Sequence, residues 1–486
     1  MSRTLRLIIV LVVVLLAAAI ARSCVRGSSS SRALAAYKAG LRAKGEKLSE
    51  AEFGFPRPPE TNGSLNLLLS SVSLIGRAKI DPGSLELFHF VSAGRAQVAW
   101  TVAQPPLNFS RRDDTNVTWE AFSKHFKLSA DALQGIRDAA EHPPRYFVND
   151  PTNFFNQPRG PFVQLRTAAQ SLSGDAIVAL HARDLGRAQA DLHALTKLAL
   201  FHHEDLTLVS QMIRTAIAGL GLSVTWEALQ AEGWNEESLV ALQRDWESVD
   251  LLGAVEKGMT GERAFGEAAF SYMRSVAPAE RMKMFRGSVT MPGRRSAKDY
   301  FEQFVLMPIW RAHADEDETL FLEYHQHSLD SIRKARSGTS WQTIEVELQS
   351  NAAQLNRALS SPIAKFRYQF SARAIPNTLR AAAAAARNET QRRLTIAAIA
   401  LERYRLRNGH PPSDLESLVP QFLSAVPIDP MSAWPLGYRP NTDGGLTLYS
   451  AGEDGRDDGG DPNPQSGTNK FDLWSGKDAV WPSPAR

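Results

Sequence analysis

The chain has 486 residues, of which 43% are hydrophobic and 22% charged, with 55 bases against 52 acids and a net charge of +3. That size and balance support two or three folded domains with a sizeable core, and the dispersed bases exclude a concentrated nucleic-acid-binding face. Cys24 is the only cysteine, which excludes an intramolecular disulfide and any cysteine-based zinc cluster.

Arg3 and Arg6 precede an unbroken apolar run, "LIIVLVVVLLAAAIA", from Leu7 to Ala21. As a helix this run spans about 22 Å, short of a hydrocarbon core of about 30 Å. Flanking Arg6 and Arg22 can snorkel and Val25 extends the apolar face, so the segment reads as a single membrane anchor. Two other readings fit the same residues: a signal peptide cleaved after Ala19-Ile20-Ala21, and lipid attachment at Cys24, against which Arg22 stands. All three place the rest of the chain outside the cytoplasm. Residues 1–31 are thus an anchor or signal segment followed by a flexible spacer, "GSSSS" at 27–31.

Residues 33–48 read as a polar helix, and "FPRPPETNGS" at 55–64 breaks the chain. "AQVAWTVAQPP" predicts one strand, stopped by Pro105 and Pro106, and Trp119 opens another helix. From 161 the pattern is helical, with a break at Asp184-Leu185-Gly186 that makes an αα-hairpin. In the next helix Val209, Met212, Ile213, Ala216, Ile217 and Leu220 share one face, with Ser210, Gln211, Arg214 and Thr215 on the other. That spacing predicts the apolar face inward. Helices follow at 236–250, 253–275 and 299–335, with an exposed loop at 288–298. The expected class is mainly α: a large helical domain of αα-hairpins at 32–375, then a C-terminal domain at 376–486 with one long helix and a small antiparallel sheet. The long helix runs from about 378 to 407, ended by Gly409, Pro411 and Pro412, and "LGYRP" and "LTLYS" flank a hairpin turn.

The motifs of this last segment are Tyr404, Asn408, Gly409 and Pro412 at the helix end; Pro427, Asp429 and Pro430 in a turn; and Tyr449, Ser450, Gly452, Asp454 and Gly455 in a strand and loop. In order and spacing they resemble the C-terminal domain of type II secretion system protein G, the major pseudopilin. The helical remainder is similar to uncharacterised bacterial membrane-anchored proteins. Together with the N-terminal run, this gives the expected location: the inner membrane, with a single N-terminal span and the bulk in the periplasm. The resemblance also implies calcium in the loop "GEDGRDDGG". There Asp454 matches the loop aspartate of that family, and Asp478 best matches the aspartate that closes the site, with Asp472 its rival. Asp457, Asp458 and Asp461 are further ligand candidates on carboxylate density alone. The chain departs from a pseudopilin in its first segment, which has no acid and lies far from the matching helix. It reads as a pseudopilin-like head on a helical protein, and not as a filament subunit.

Elsewhere the chemistry is thin. His202-His203 and His325/His327 have spacings that diverge on a helix, and Glu262-Arg263 interrupts an apolar helix. No nucleophile elbow, P-loop or dinucleotide fingerprint occurs. The expected role is noncatalytic: an extracytoplasmic protein that binds protein partners and the membrane, but no nucleic acid, in secretion or envelope assembly. The alternative is an extracytoplasmic enzyme with its site in the helical domain and the C-terminal domain as docking module.

Overall fold

The computed structural model describes residues 29–485 apart from 59, 61–62, 76–80, 109–116, 148–159, 278–279, 282–306, 376–377, 442–444 and 466–469. The apolar N-terminal run and the loop expected at 288–298 lie outside the described residues. Among the described residues the fold is mainly α, with small sheets. Helix α1 covers 29–43. Then follow α2 (Gly63–Ile75), the hairpin β1 (His89–Ser92) and β2 (Arg95–Gln97), α3 (Trp119–Leu128), α4 (Ala130–Glu141), α5 (Phe162–His181) and α6 (Leu185–Leu198). After these come α7 (Leu208–Leu229), α8 (Glu236–Glu247), α9 (Leu251–Ser275), α10 (Met307–Arg336), α11 (Trp341–Ala358), α12 (Pro362–Arg367) and α13 (Ser371–Ala374). The chain closes with α14 (Thr378–Asn408), β3 (Gly437–Pro440), β4 (Leu446–Ser450), β5 (Ala479–Val480) and β6 (Ser483–Pro484).

Several helices begin where a short polar side chain can accept an otherwise orphaned amide. Asp184 accepts from Arg187 N (3.1 Å) and starts α6 at the expected break. Asn235 and Asp250 do the same for α8 and α9, at 2.8 and 2.7 Å. α14 starts at Thr378 and runs to the predicted stop, where Gly409 adopts φ +80°.

The expected orientation of α7 holds only in part: Ile217 is buried and Ile213 and Leu220 pack against the core, but the start of the helix is turned the other way. Val209 and Met212 are 48% and 39% exposed, whereas Ser210, Gln211, Arg214 and Thr215 are buried. The reason is local satisfaction. Gln211 Nε2 donates to Asp205 O (2.6 Å), Arg214 Nε to Ala199 O (2.7 Å), and Ser210 Oγ to Asp205 Oδ2 (2.8 Å). The polar stripe closes the loop before its own helix, so its burial leaves these groups paired. α7 is also the one described helix long and apolar enough to cross a membrane, yet 61% of that stretch is buried inside the protein. It packs against α5, α6, α9 and α14.

The strand expected in "AQVAWTVAQPP" is only Arg95–Gln97, because Ala99–Thr101 turns into a 3-10 helix. There the buried carboxylate of Glu227 accepts from Ala99 N at 2.8 Å. The sheets are β1-β2-β6 and β3-β4-β5. In the first, β6 joins β2 in parallel, pairing Arg95 with Ser483, so the end of the chain is stitched to its N-terminal hairpin.

One core unites both halves of the sequence. Leu68, Phe122, Leu172, Leu195, Trp226 and Trp246 are buried with Leu394, Leu401, Leu418, Leu448 and Trp481. A second cluster joins α9, α10 and α11 to the alanine face of α14, and a third joins α1 to α9 and α10. Between these last helices runs a charge network. Arg263, fully buried, donates to Glu46 Oε2 (2.8 Å) and to Gln326. Arg333 pairs with Glu46 and with Glu256 (2.8 Å). Burial pushes the Glu46 carboxyl up, but the bonds from Arg333 and Arg263 outweigh it and hold it at about 2.

Two predictions follow from the interior. Glu46→Ala leaves Arg263 without its counter-charge and should cost about 3–5 kcal/mol in denaturant unfolding. His325 is buried and held neutral, its pKa pushed down to about 3 by burial and by Arg263. Its unfolded value is about 6.5, so its contribution is intact above that pH and falls away as the solution is acidified toward about 3. Stability measured across this window should decline less in His325→Leu than in the parent.

Candidate functional site: the C-terminal acidic loop

The loop after β4 is held at both ends by a buried carboxylate. Asp429, in the Pro427-to-Pro430 turn, is 1% exposed. It accepts from Met431 N (3.0 Å), Ala451 N (2.9 Å), Ser450 Oγ (2.9 Å) and Ser432 Oγ (3.2 Å). This ties the turn to the exit of β4. Burial pushes its carboxyl above the usual range, against the hydrogen bonds that pull it down. The turn also docks on the helical region: Trp341 N, at the start of α11, donates to Pro430 O (2.8 Å), and Met431 joins the core of α9, α10, α11 and α14.

Asp478 anchors the far limb. It is 1% exposed, and Oδ2 accepts from Asp458 N (3.1 Å), Gly460 N (2.8 Å) and Asp461 N (3.0 Å). Its own amide donates to Asp461 O (3.0 Å). Burial raises this carboxyl too, against those three amides. Its rival Asp472 instead accepts from Trp474 N (2.9 Å) and pairs with Lys470, so of the two it is Asp478 that reaches the loop. Gly452 has φ +68° and a Cβ there would lie 2.8 Å from Lys477 O, which explains the glycine of the strand-loop motif.

The other aspartates turn to separate partners. Asp454 accepts from Arg456 N (3.1 Å) and Gln465 Nε2 (3.0 Å). Asp457 accepts from Tyr449 Oη (3.0 Å) and Gly459 N (2.8 Å). Asp461 is paired with Lys477 (2.7 Å), and Asp458 is exposed. Glu453 pairs with Arg387 of α14 at 2.6 Å. The structure thus brings Asp478 against the backbone of Asp458 and Asp461, and it directs Asp454, Asp457 and Asp461 elsewhere. Calcium requires six to eight converging oxygens. As arranged, the loop presents N–H groups to its central carboxylate, and this donor set does not fit the ion that the resemblance implies.

The His325/His327 and Glu262-Arg263 motifs do not converge on one shared site. His325 is buried and His327 exposed on opposite sides of α10. Glu262 accepts from Leu208 N (2.9 Å), turned away from the Arg263 network. Two clefts had no sequence signal, because each gathers residues from distant segments. One, of about 360 Å³, lies between α4, α6 and α8 and contains Arg137, Glu141, His193 and Asp245. His193 Nδ1 is 2.7 Å from Asp245, whose hydrogen bond raises the imidazole pKa. Arg137 at its edge is engaged by the buried pair Asp175 and Asp191. The other, of about 630 Å³, is a groove of mixed character between the segment Leu85–Phe90, the Ala216–Ser223 stretch of α7 and Phe471–Trp474, in which Glu86, His89, Gln391 and Asp472 lie beside apolar side chains. It borders β1, an edge strand.

Compared with family models, curated proteins and solved structures, the chain gives no match. The likeness to a pseudopilin therefore rests on the three motifs.

Asp429→Ala should be the most damaging single change in this region. It strands two buried amides and two hydroxyls, at about 1–3 kcal/mol for each group that finds no water. A lowered melting temperature, with loss of exchange protection at Ala451 N, is the expected readout.

Proposed function

We propose that this is a membrane-anchored extracytoplasmic protein with a noncatalytic, partner-binding role in secretion or envelope assembly. The observation that supports the partner-binding reading is the groove beside β1, with its partly exposed aromatic side chains among polar ones. Leu85, Phe88, Leu220, Phe471 and Trp474 line it, and Phe471 remains 40% exposed. Nearby on α7, Val209 and Met212 face outward, which the helix would avoid if burial within the chain were their only use. The groove is formed jointly by the helical region and the pseudopilin-like segment, so the C-terminal segment serves as one wall of the binding surface. Location rests on the N-terminal run Leu7–Ala21.

The second reading, an extracytoplasmic enzyme, is favoured by the cleft at His193. There Asp245 orients an imidazole beside open space, an arrangement suited to proton transfer. The same pair also tethers α6 to α8. If His193→Gln lowers the melting temperature and leaves every phenotype of the intact strain unchanged, the pair is a tether and the enzyme reading fails.

Two measurements test the first reading. A reporter fused after residue 35 should be active only when it is of the type that works outside the cytoplasm; cytoplasmic activity alone would overturn the location. A photo-crosslinking side chain placed at Met212 or Phe471 of the full-length anchored chain should give discrete heavier adducts in cells. The same group at Val346, an equally apolar but isolated exposed position on α11, should not. Equal labelling at all three positions would remove the groove from consideration.

A further inference from the structure

We propose that the acidic loop is closed by the carboxylate of Asp478 in place of a bound cation, so that residues 451–461 keep their form without calcium. The inference departs from what the pseudopilin resemblance implies, and it is independent of the partner-binding reading.

The argument is one of dipole direction. Asp458, Gly460 and Asp461 all aim backbone N–H groups at Asp478 Oδ2, at 3.1, 2.8 and 3.0 Å. Gly459 and Gly460 adopt φ +73° and +77°, the left-handed conformation that lets neighbouring amides turn to one side. A concavity lined by successive N–H groups carries positive partial charge and selects an anion. A calcium ion at the same point would meet the positive ends of those dipoles. Gly460 is also wedged in place, because a Cβ there would lie 3.0 Å from both Thr447 and Tyr449 of β4. Turning the amides outward would therefore disturb the strand. On the near limb Asp429 holds Ala451 N and Ser450 in the same manner. Lys477 neutralises Asp461 (2.7 Å) and Arg387 neutralises Glu453 (2.6 Å), which relieves repulsion that an ion would otherwise relieve. The charges of Asp478, Asp461 and Glu453 are thus offset by amides and by two cations of the chain itself, while Asp457 and Asp458 are exposed to solvent.

The test uses the full-length chain in detergent. Melting temperature should be the same in millimolar calcium, in millimolar magnesium and in chelator. Hydrogen exchange at the amides of Asp458, Gly460 and Asp461 should stay within about twofold between calcium and chelator, since local opening free energies are then unchanged. In Asp478→Gly the three amides surround an empty space. Formate or acetate should raise the melting temperature of that variant above its value in chloride at equal ionic strength, and should leave the parent unchanged. In Asp478→Asn, which keeps the shape but weakens the acceptor, exchange at the three amides should accelerate. A calcium-dependent rise in the parent's melting temperature, or loss of protection at those amides on chelation, would overturn the proposal. So would a folded Asp478→Gly that responds to formate no more than to chloride.

Discussion

The molecule is organised by the burial of one helix, α14, 31 residues from Thr378 to Asn408. Its two halves do different work. Ala381, Ala382, Ala385 and Ala386 present almost no side chain, which lets α9, α10 and α11 come close. Leu394, Ile396, Ile399 and Leu401 fill the larger core shared with α2 to α8. The buried faces of such a helix leave little room for unpaired charge. Arg392 accordingly donates to Trp246 O (2.9 Å) and to Glu389 (2.8 Å), and Asn388 Nδ2 to Thr215 O (3.0 Å). Among the polar residues that keep α14 from reading as a membrane span, Arg392 and Asn388 bind it to α8 and α7.

The same economy governs several other buried charges. Glu46, in the segment after α1, receives Arg263 from α9 and Arg333 from α10. Asp175 on α5 and Asp191 on α6 receive Arg137 from α4. Glu227 on α7 receives the amide of Ala99 beside the N-terminal hairpin. Each of these groups would be costly to bury alone, and each is paired across elements far apart in sequence. Such contacts add little net stability over apolar packing, but they penalise any arrangement in which one partner is missing. They fix how the helices sit against one another.

The C-terminal segment is tied into this arrangement at many points. Its turn is docked on α11 through Pro430, its loop on α14 through Glu453, and its last strand on β2. Trp226 of α7 donates to Pro482 O (3.1 Å) at the end of the chain. A segment that the sequence marks off by composition therefore shares its core with the helices that precede it. The groove proposed for partner binding exists only because of this joint packing.

The amino-acid sequence by itself determined the mainly helical class, the break at Asp184, the extent of α14 and the hairpin of β3 and β4. Those features depend on periodicity, capping residues and glycine stops, which act within a few residues. It also singled out Asp429, Gly452 and Asp478, through the motifs that resemble a pseudopilin head. Only the tertiary structure decided which face of α7 is buried, because Gln211 and Arg214 are satisfied by carbonyls of the preceding loop, and amphipathic spacing does not register that. It alone placed His193 beside Asp245 and Leu85 beside Trp474, since each meeting joins segments separated by many intervening elements. And it alone gave Asp478 its role. Carboxylate density in a glycine-rich loop is the same in sequence whether the backbone turns carbonyls or N–H groups inward, and only the folded dihedral angles settle which charge the loop encloses.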